Sequence, residues 1–269
     1  MKHLMYVFSA TGNTLHAAKL VKESLKDKGV FIKAISEKDD IIKNETNLPE
    51  SIGIYFPCYY GSMPKLVEKF IRKLQISPKV YIYSVVTAGG STGYCNKELS
   101  KLLKYKGLVL SFGADITYSS NYMPGWYYNY IYKSPEKITS NLDKFKMQAQ
   151  KISKTILNKE KSEIKGSYVG YLLPKLISQS YLVKDTRPHD REYAVSEKCN
   201  MCGLCEKICP VENIEINNKY HIFKHKCQRC LACVQYCPQQ AFIINNQPMD
   251  KERYVNPFIK ADEIIKLHK

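Results

Sequence analysis

Eight cysteines in two evenly spaced runs near the C-terminus constrain this chain more than any other feature. Each run reads Cys-x-x-Cys-x-x-Cys-x-x-x-Cys-Pro, and Pro210 and Pro238 end the two runs. This spacing is typical of two-cluster iron–sulfur domains, in which three cysteines bind one cluster and the fourth binds the other. The pattern therefore predicts two [4Fe–4S] clusters. The expected ligands are Cys199, Cys202, Cys205 and Cys237 for one cluster, and Cys227, Cys230, Cys233 and Cys209 for the other.

Structural zinc and a disulfide framework are the alternative interpretations of these cysteines. Zinc sites favour two separated Cys-x-x-Cys pairs rather than four evenly stepped cysteines. Disulfides need an oxidising compartment. The N-terminal sequence MKHLMYVFSATGNT opens into a loop motif instead of a cleavage site, so no signal peptide is expected. We therefore expect a cytoplasmic protein and favour iron–sulfur clusters.

Two further properties bear on partners. The apolar region 168–183 is interrupted by Pro174 and Lys175 and is too short for a membrane span, although a surface-lying helix stays open. The formal net charge of +16 would suggest nucleic acid or an anionic membrane. Bound clusters of roughly −2 each would offset part of this charge, and no nucleic-acid motif is present. We expect no integral membrane segment and no nucleic acid, and the basic surface indicates either an acidic redox partner or no partner role at all.

A strand, a loop and a helix are predicted at the N-terminus. The apolar residues 4–8 precede Ser9-Ala10-Thr11-Gly12-Asn13-Thr14, and a helical pattern follows. Hydroxyl and backbone N–H groups at a helix N-terminus favour an anion. The loop lacks the Gly-Lys-Ser/Thr ending of a P-loop and the three glycines of a dinucleotide fingerprint. A monophosphate fits best, and the alternative is a simple helix N-cap.

Strands and helices alternate through the rest of the first half. Further strands are predicted at residues 30–35, 52–56, 80–86 and 108–112, and a long helix at 135–157. Such alternation predicts a parallel sheet whose ligand lies at the carboxyl ends of the strands. The distinctive loops PCYYGSMP (57–64) and TAGGSTGY (87–94) follow the third and fourth strands. With the first loop, they meet at the ligand site of the strand order 2-1-3-4-5.

These motifs together resemble a known family. FSATGNT resembles a flavodoxin phosphate loop, the other two loops resemble flavodoxin ring-binding loops, and the cysteine runs resemble a bacterial two-cluster ferredoxin. The combination is similar to a family, common in anaerobes, that fuses a flavodoxin domain to a C-terminal ferredoxin domain. Residues 253–257 resemble the ending of that family. The resemblance implies an α/β flavodoxin-like doubly wound five-stranded sheet (1–158), a connector (159–190) and a small α+β two-cluster ferredoxin-like domain (191–269).

The resemblance also implies FMN as a cofactor. Its phosphate would bind Ser9, Ala10, Thr11, Gly12, Asn13 and Thr14, and its ring would lie between Pro57, Cys58, Tyr59, Tyr60 and Gly61 on one side and Thr87, Ala88, Gly89, Gly90 and Tyr94 on the other. Tyr59, Tyr60 and Tyr94 are candidates to stack on the ring, and packing is their alternative role. Cys58 and Cys95 either tune the flavin or act as small buried apolar residues. The aromatic loop 118–130 is either a lid or an apolar plug.

Two smaller features complete the sequence reading. His189 and Asp190 are neighbours in the connector, and we expect a structural or solvated role for them rather than a catalytic pair. The resemblance to pseudo-twofold ferredoxin domains implies that residues 241–244 pair with residues 214–216 as strands, and the two runs form an internal repeat of about 28 residues.

The parts together predict a redox protein. FMN exchanges one or two electrons and each cluster exchanges one, so the chain would transfer electrons to a redox partner protein such as a ferredoxin, a flavoenzyme or a reductase. An alternative is an enzyme that reduces a small organic electrophile at the flavin, and a redox sensor is a third. No catalytic residue is assigned, and the oligomeric state stays open.

Overall fold

The computed structural model describes residues 2–26, 29–36, 48–121, 132–167, 189–217 and 220–269. Its first half contains five strands and five helices among these residues. They are β1 (His3–Val7), α1 (Asn13–Leu25), β2 (Val30–Ala34), β3 (Ser51–Pro57), α2 (Lys65–Lys73), β4 (Tyr81–Ala88), α3 (Cys95–Lys104), β5 (Leu110–Thr117), α4 (Pro135–Ser140) and α5 (Leu142–Leu157).

The five strands form one parallel sheet in the order β2-β1-β3-β4-β5. Strands β1 and β4 are buried along their whole length. Such continuous burial is typical of a parallel sheet that helices cover on both faces. Helix α1 packs against α5, and α2 packs against α3. The predicted doubly wound sheet and its strand order are confirmed.

The predicted long helix over 135–157 is wrong in one respect, because it is two helices. Asn141, with φ −94° and ψ 8°, ends α4 and precedes α5. Its side-chain Nδ2 donates to the carbonyl of Lys137 at 2.5 Å. An asparagine side chain competes in this way with the helical backbone bonds, and here it interrupts the helix.

The second half is small and built on short elements. They are a 3₁₀ helix (His189–Glu192), β6 (Tyr193–Val195), α6 (Leu204–Ile208), β7 (Ile214–Ile216), β8 (His221–Phe223), α7 (Ala232–Gln235), β9 (Phe242–Ile244), β10 (Gln247–Pro248) and α8 (Ala261–His268). None of the described helices is long and apolar enough to span a bilayer.

The predicted pairing of residues 241–244 with 214–216 is wrong. Strand β7 instead pairs with β8, antiparallel and only a few residues further along the chain. Strand β9 pairs with β6, which leads into the first cysteine run, and with β10. Both β7 (Ile-Glu-Ile) and β9 (Phe-Ile-Ile) are only three residues long and begin and end with an apolar residue, so the sequence pattern fits either partner. The local hairpin is the pairing that closes the shorter loop.

One apolar core spans both halves of the molecule. The buried cluster around the sheet also contains residues of the second half, namely Ile208, Cys230, Ala232, Tyr254, Ile259 and Ile264. A smaller cluster lies between the short strands and includes Leu231, Val234 and Phe242. Helix α8 returns the chain end to the N-terminal half and lies beside β2. The shared core fixes the two halves against each other.

Three regions singled out in the sequence lie wholly or mostly outside the described residues. They are most of the loop between β2 and β3, most of the aromatic loop 118–130, and the apolar region 168–183. Tyr118, at the start of the aromatic loop, is fully buried.

Candidate functional site

The eight run cysteines line two separate cavities. The inner cavity is lined by Cys209, Cys227, Cys230 and Cys233. The outer cavity is lined by Cys199, Cys202, Cys205 and Cys237. The fourth cysteine of each run therefore lies in the cavity of the other run.

Backbone N–H groups point at the sulfurs in the same pattern in both runs. The first cysteine of each run accepts from the residue two positions later, since Met201 N–H donates to Cys199 Sγ and Arg229 N–H to Cys227 Sγ, both at 3.4 Å. The fourth cysteine accepts from the residue four positions later, with donor distances of 3.2 Å at Cys209 and 3.4 Å at Cys237. Such donors stabilise an anionic sulfur.

The backbone around the cavities repeats as well. Three pairs of matched positions have a positive φ, namely Met201 and Arg229, Gly203 and Leu231, and Glu212 and Gln240. Positive φ is costly for residues other than glycine, and it clusters where a ligand shapes the chain. Successive N–H groups in such turns form anion-binding concavities. The repeated backbone thus suits two anionic groups of the same kind.

A polar network holds the second run in place. The buried carboxylate of Asp190 accepts from the Asn213 side chain at 2.9 Å and from the backbone and ring of His225 at 3.0 and 2.8 Å. Arg229 pairs with Glu192 at 3.0 Å. Asp190 is therefore a structural residue whose imidazole partner is His225.

The N-terminus of α1 is arranged to receive an anion. The first intrahelical bond runs from His16 N–H to Gly12 O at 2.8 Å, so the N–H groups of Asn13 and Thr14 have no acceptor within the helix. Leu15 N–H donates to Ser9 Oγ at 3.2 Å. The first turn contains no acidic residue, whereas α2 to α5 each have one. These features fit a phosphate at this helix.

The C-terminal segment packs directly onto this loop. Asn13 Oδ1 accepts from Tyr254 Oη at 2.6 Å and from Asn256 Nδ2 at 3.0 Å. Asn256 N–H donates to the carbonyl of Thr11 at 2.8 Å, and His268 Nε2 donates to the carbonyl of Ser9 at 2.8 Å. The sequence reading missed these contacts, and its one signal was the tail motif at 253–257.

The three loops after β1, β3 and β4 meet at the carboxyl edge of the sheet. Thr14 and Thr87 hydroxyls lie 2.8 Å apart. Cys58 N–H donates to Thr87 O at 2.7 Å, and Tyr94 N–H donates to Gly61 O at 3.0 Å. The structure thus brings together all three loops that the sequence singles out.

The glycines of these loops have different surroundings. Gly61 has a φ of +78°. A Cβ at Gly89 would lie 2.7 Å from atoms of Ser120, whereas a Cβ at Gly90 would meet nothing within 4 Å. Packing against the chain after β5 therefore requires a glycine at position 89. The space beside Gly90 is open and would accept a side chain.

The comparisons with known proteins agree with this geometry. Residues 191–238 match the family described as the 4Fe–4S dicluster domain. The chain joins a flavodoxin-like domain to a 4Fe–4S dicluster domain. Because such clusters carry electrons, it is an electron-transfer redox protein. The sequence has no significant match among curated proteins.

Solved structures similar to the flavodoxin-like domain are remote. An archaeal flavodoxin is 14% identical with a TM-score of 0.37, over 58% of this chain and 99% of its own. A flavodoxin from Streptococcus pneumoniae TIGR4 is 13% identical with a TM-score of 0.37, over 59% and 97%. Rubredoxin oxygen:oxidoreductase from Desulfovibrio gigas is 14% identical with a TM-score of 0.37, over 59% and 36%. The fold assignment rests on the strand order instead.

Burial raises the pKa of several thiols that line the two cavities. It raises the pKa of Cys205 to about 12 and that of Cys227 to about 11. Burial also raises the pKa of Cys209, although N–H donors oppose this shift. Metal binds the thiolate, so loading these sites must release protons.

Tyr59 joins the flavodoxin-like domain to the inner cavity. Burial, together with Cys230 and Cys227, raises the pKa of its phenol well above the usual value. Its ring lies 6.2 Å from that of Phe8, edge to face. Tyr60 has a φ of +54°, and Lys97 Nζ lies 5.3 Å from the ring centre of Tyr94. Tyr59 and Tyr60 line one cleft together with Cys227, so both ring-loop aromatics lie close to the second cysteine run.

Cys58 and Cys95 lie side by side. The Cys95 thiol is fully buried, and burial, together with the neighbouring Cys58, raises its pKa well above the usual value. Cys58 is half-buried at the start of the loop after β3. The sequence suggested each cysteine separately but gave no sign that they form a pair.

Proposed function

We propose that this protein transfers electrons between two [4Fe–4S] clusters and an FMN, and so connects one-electron and two-electron chemistry for a protein partner. The observation that carries the proposal is the contact of the inner cavity with the loops at the carboxyl edge of the sheet. Tyr59 of the ring loop lines the same cleft as Cys227, and it packs against the buried apolar cluster that contains Cys230. Electron transfer needs such proximity between carriers.

The cysteine geometry supports two clusters. Each cavity has four cysteines, which is the ligand number of a [4Fe–4S] centre. The inner cavity would hold one cluster through Cys209, Cys227, Cys230 and Cys233, and the outer cavity would hold the other through Cys199, Cys202, Cys205 and Cys237. N–H donors to four of these sulfurs would stabilise the negative charge of the bound centres.

The loop geometry supports FMN. The free N–H groups at the start of α1 would bind its phosphate, and the loops after β3 and β4 would hold its ring. When bound, the flavin supplies the conversion between paired and single electrons. The protein residues bind the phosphate, orient the ring and limit access of water through the C-terminal segment.

A network of hydrogen bonds fixes the distance between the two proposed cofactor sites. Asn121 Nδ2 lies 3.4 Å from Thr11 Oγ1 and 3.3 Å from the carbonyl of Cys230, so it bridges the phosphate loop and the inner run. Gln235 donates to the carbonyl of Asn121 at 2.6 Å and accepts from Tyr254 N–H at 2.8 Å. Such a buried network keeps the carriers at a constant separation.

Anaerobic purification with cofactor analysis tests this proposal. We expect about eight irons, eight sulfides and one FMN per chain. Reduction by dithionite should bleach the bands of both cofactors, and a reduced low-potential ferredoxin should reduce the flavin. A protein that is colourless after anaerobic reconstitution, with neither flavin nor inorganic sulfide, contradicts the proposal.

Reduction of a small organic electrophile is a second candidate function. A cavity of about 550 Å³ lies beside the ring loop and includes Tyr59, Tyr60 and Cys227 in its lining. Its size is within the range of small-molecule sites. Steady anaerobic consumption of a quinone, nitro or enone compound by the reduced protein would support this function.

A further inference from the structure

We propose that the cleft between α2, α3 and the second cysteine run binds a small planar aromatic anion. The cleft has a volume of about 550 Å³, which suits a ligand of two or three fused rings. The inference rests on the second candidate function and names both its site and its class of substrate. The loop 57–64, which is expected to hold one side of the flavin ring, also lines this cleft, whereas the loops 9–14 and 87–94 do not.

The cleft has walls from both halves of the molecule. Pro64 and Leu102 are buried apolar residues of the N-terminal wall, and Gln228 lies on the opposite side. Gln228 Oε1 accepts from Leu66 N–H, in the first turn of α2, at 3.1 Å. This bond ties the second run to α2 and holds the walls at a fixed separation, so the cleft is formed before any ligand arrives.

The inner end of the cleft is aromatic. Tyr59, Tyr60 and Met63 line it next to Cys227. Aromatic faces and a thioether favour a flat conjugated ring through stacking and sulfur contacts. A ring here would contact Cys227, which is a proposed ligand of the inner cluster.

The outer end of the cleft is positively charged. Lys65 and Lys101 line it. Within the described part of the chain, neither side chain forms an ion pair or a hydrogen bond. The two acidic residues of the lining are already engaged. Glu68 pairs with Arg72 at 2.7 Å, and Glu98 accepts from Ser62 Oγ at 3.0 Å and from Met63 N–H at 2.8 Å. The two lysines are thus left to bind an anionic group.

The cleft adjoins the expected flavin site and shares Tyr59 and Tyr60 of the loop 57–64 with it. No residue of the phosphate loop 9–14 or of the loop 87–94 belongs to its lining. The anionic group would lie at the lysine end, away from the negatively charged cluster, and the ring would lie at the tyrosine end. This polarity selects aromatic sulfonates and carboxylates over neutral or cationic aromatics.

Calorimetric titration of the oxidised, anaerobic holoprotein with anthraquinone-2-sulfonate tests the inference. We expect saturable one-to-one binding that weakens as salt is added. Lys101→Glu should weaken the affinity about tenfold, because it reverses a charge at the anion. Lys104→Glu is the matched control, since it makes the same change in the same last turn of α3 but lies outside the lining. It should change the affinity less than about twofold.

Met63→Trp provides a second variant that fills the cleft without changing charge, and it should abolish binding. Absence of saturable binding, equal effects of the two lysine variants, or displacement of the probe by added FMN would each overturn the inference. Iron, sulfide and flavin are measured in the same samples. Full cofactor content without probe binding rejects the cleft alone, whereas missing cofactors reject the proposed function even if the probe binds.

Discussion

The inner and outer cavities are formed by the same cysteine motif in different surroundings. The outer cavity includes the exposed Cys202, and its neighbours Asn200 and Gly203 are exposed or half-buried. The inner cavity includes the buried Cys230, and Leu231 and Ala232 beside it are buried as well. The repeat therefore sets the arrangement of the cysteines, whereas the burial of the residues around them differs between the two cavities.

This difference suggests an order of electron carriers. The outer cavity includes the exposed Cys202, where a partner protein can approach. The inner cavity adjoins the flavodoxin-like domain, because Cys227 shares a cleft with Tyr59 and Asn121 Nδ2 lies 3.3 Å from the carbonyl of Cys230. Under the proposed function, the outer cluster exchanges electrons with the partner and the inner cluster exchanges them with the flavin. The basic surface implied by the charge of +16 suits an acidic partner.

Replacing the fourth cysteine of each run with serine should produce the largest difference between the two cavities. Cys209→Ser belongs to the first run but should remove the inner cluster, because Cys209 lines the inner cavity. Iron should fall from about eight to about four per chain, and flavin reduction by an external ferredoxin should stop.

Cys237→Ser is the matched variant for the outer cavity. It should also halve the iron, but the remaining cluster should still exchange electrons with the flavin. Electron paramagnetic resonance of the reduced variants distinguishes the two clusters. If Cys209→Ser left the inner cluster intact and removed the outer one, the crossed assignment would be wrong.

Gly12→Ala tests the contact between the loop 9–14 and the C-terminal segment. Gly12 has a φ of +99°, and an added Cβ would lie 2.9 Å from the Cβ atoms of Asn256 and Ile259. Strain and overpacking together should lower the free energy of unfolding by about 2–4 kcal/mol, and FMN affinity should fall with it. Gly90→Ala, in open space, should cost less than about 0.5 kcal/mol. Urea denaturation of both variants gives the values, and equal costs would show that the C-terminal segment does not press on the loop.

The pH dependence of stability tests the contact of α1 with the C-terminal segment, because His16 lies in it. Burial, and to a smaller extent Lys19, lowers the pKa of His16 to about 4. Its ring stacks on Phe258 at 4.6 Å, and its Nδ1 lies 3.1 Å from Tyr118 Oη. The unfolded chain binds a proton near pH 6.5 and the folded chain does not, so stability falls as pH drops from about 6.5 towards 4.

This loss should reach about 2 kcal/mol at pH 4.5. His16→Gln should remove that part of the slope, and the difference in stability between the two proteins should become independent of pH above about pH 7.5. Thermal unfolding across this pH range measures it. A slope that is unchanged in the variant would mean that His16 does not titrate in this window.

The sheet and the grouping of the cysteines could both be predicted from the sequence, and for the same reason. Both depend on short-range patterns, such as the apolar runs at β1 and β4 and the step of three between cysteines. The two cavities group the cysteines as the spacing predicts. Their role as iron ligands, and that of the loops in binding FMN, stays a prediction.

The features that sequence reasoning missed depend on contacts between distant residues. The bond from Tyr254 to Asn13 joins residues 241 positions apart, and neither residue type indicates the other. The hydrogen bond from Leu66 N–H to Gln228 could not be predicted either, although Gln228 forms one side of the cleft. The predicted pairing of β9 was wrong for a different reason, because a three-residue strand contains too little pattern to select its partner.

The smallest predicted effect compares matched positions of the two runs. Gln228 follows the first cysteine of the second run and donates to the carbonyl of Lys226 at 3.0 Å while accepting from Leu66 N–H at 3.1 Å. Asn200 follows the first cysteine of the first run and is exposed. Gln228→Ala should lower the free energy of unfolding by about 1 kcal/mol, and Asn200→Ala should change it by less than about 0.5 kcal/mol. Urea denaturation of the two holoprotein variants measures the contrast. Because the bond joins the inner run to α2, Gln228→Ala should also slow flavin reduction, and equal behaviour of the two variants would show that the runs are equivalent after all.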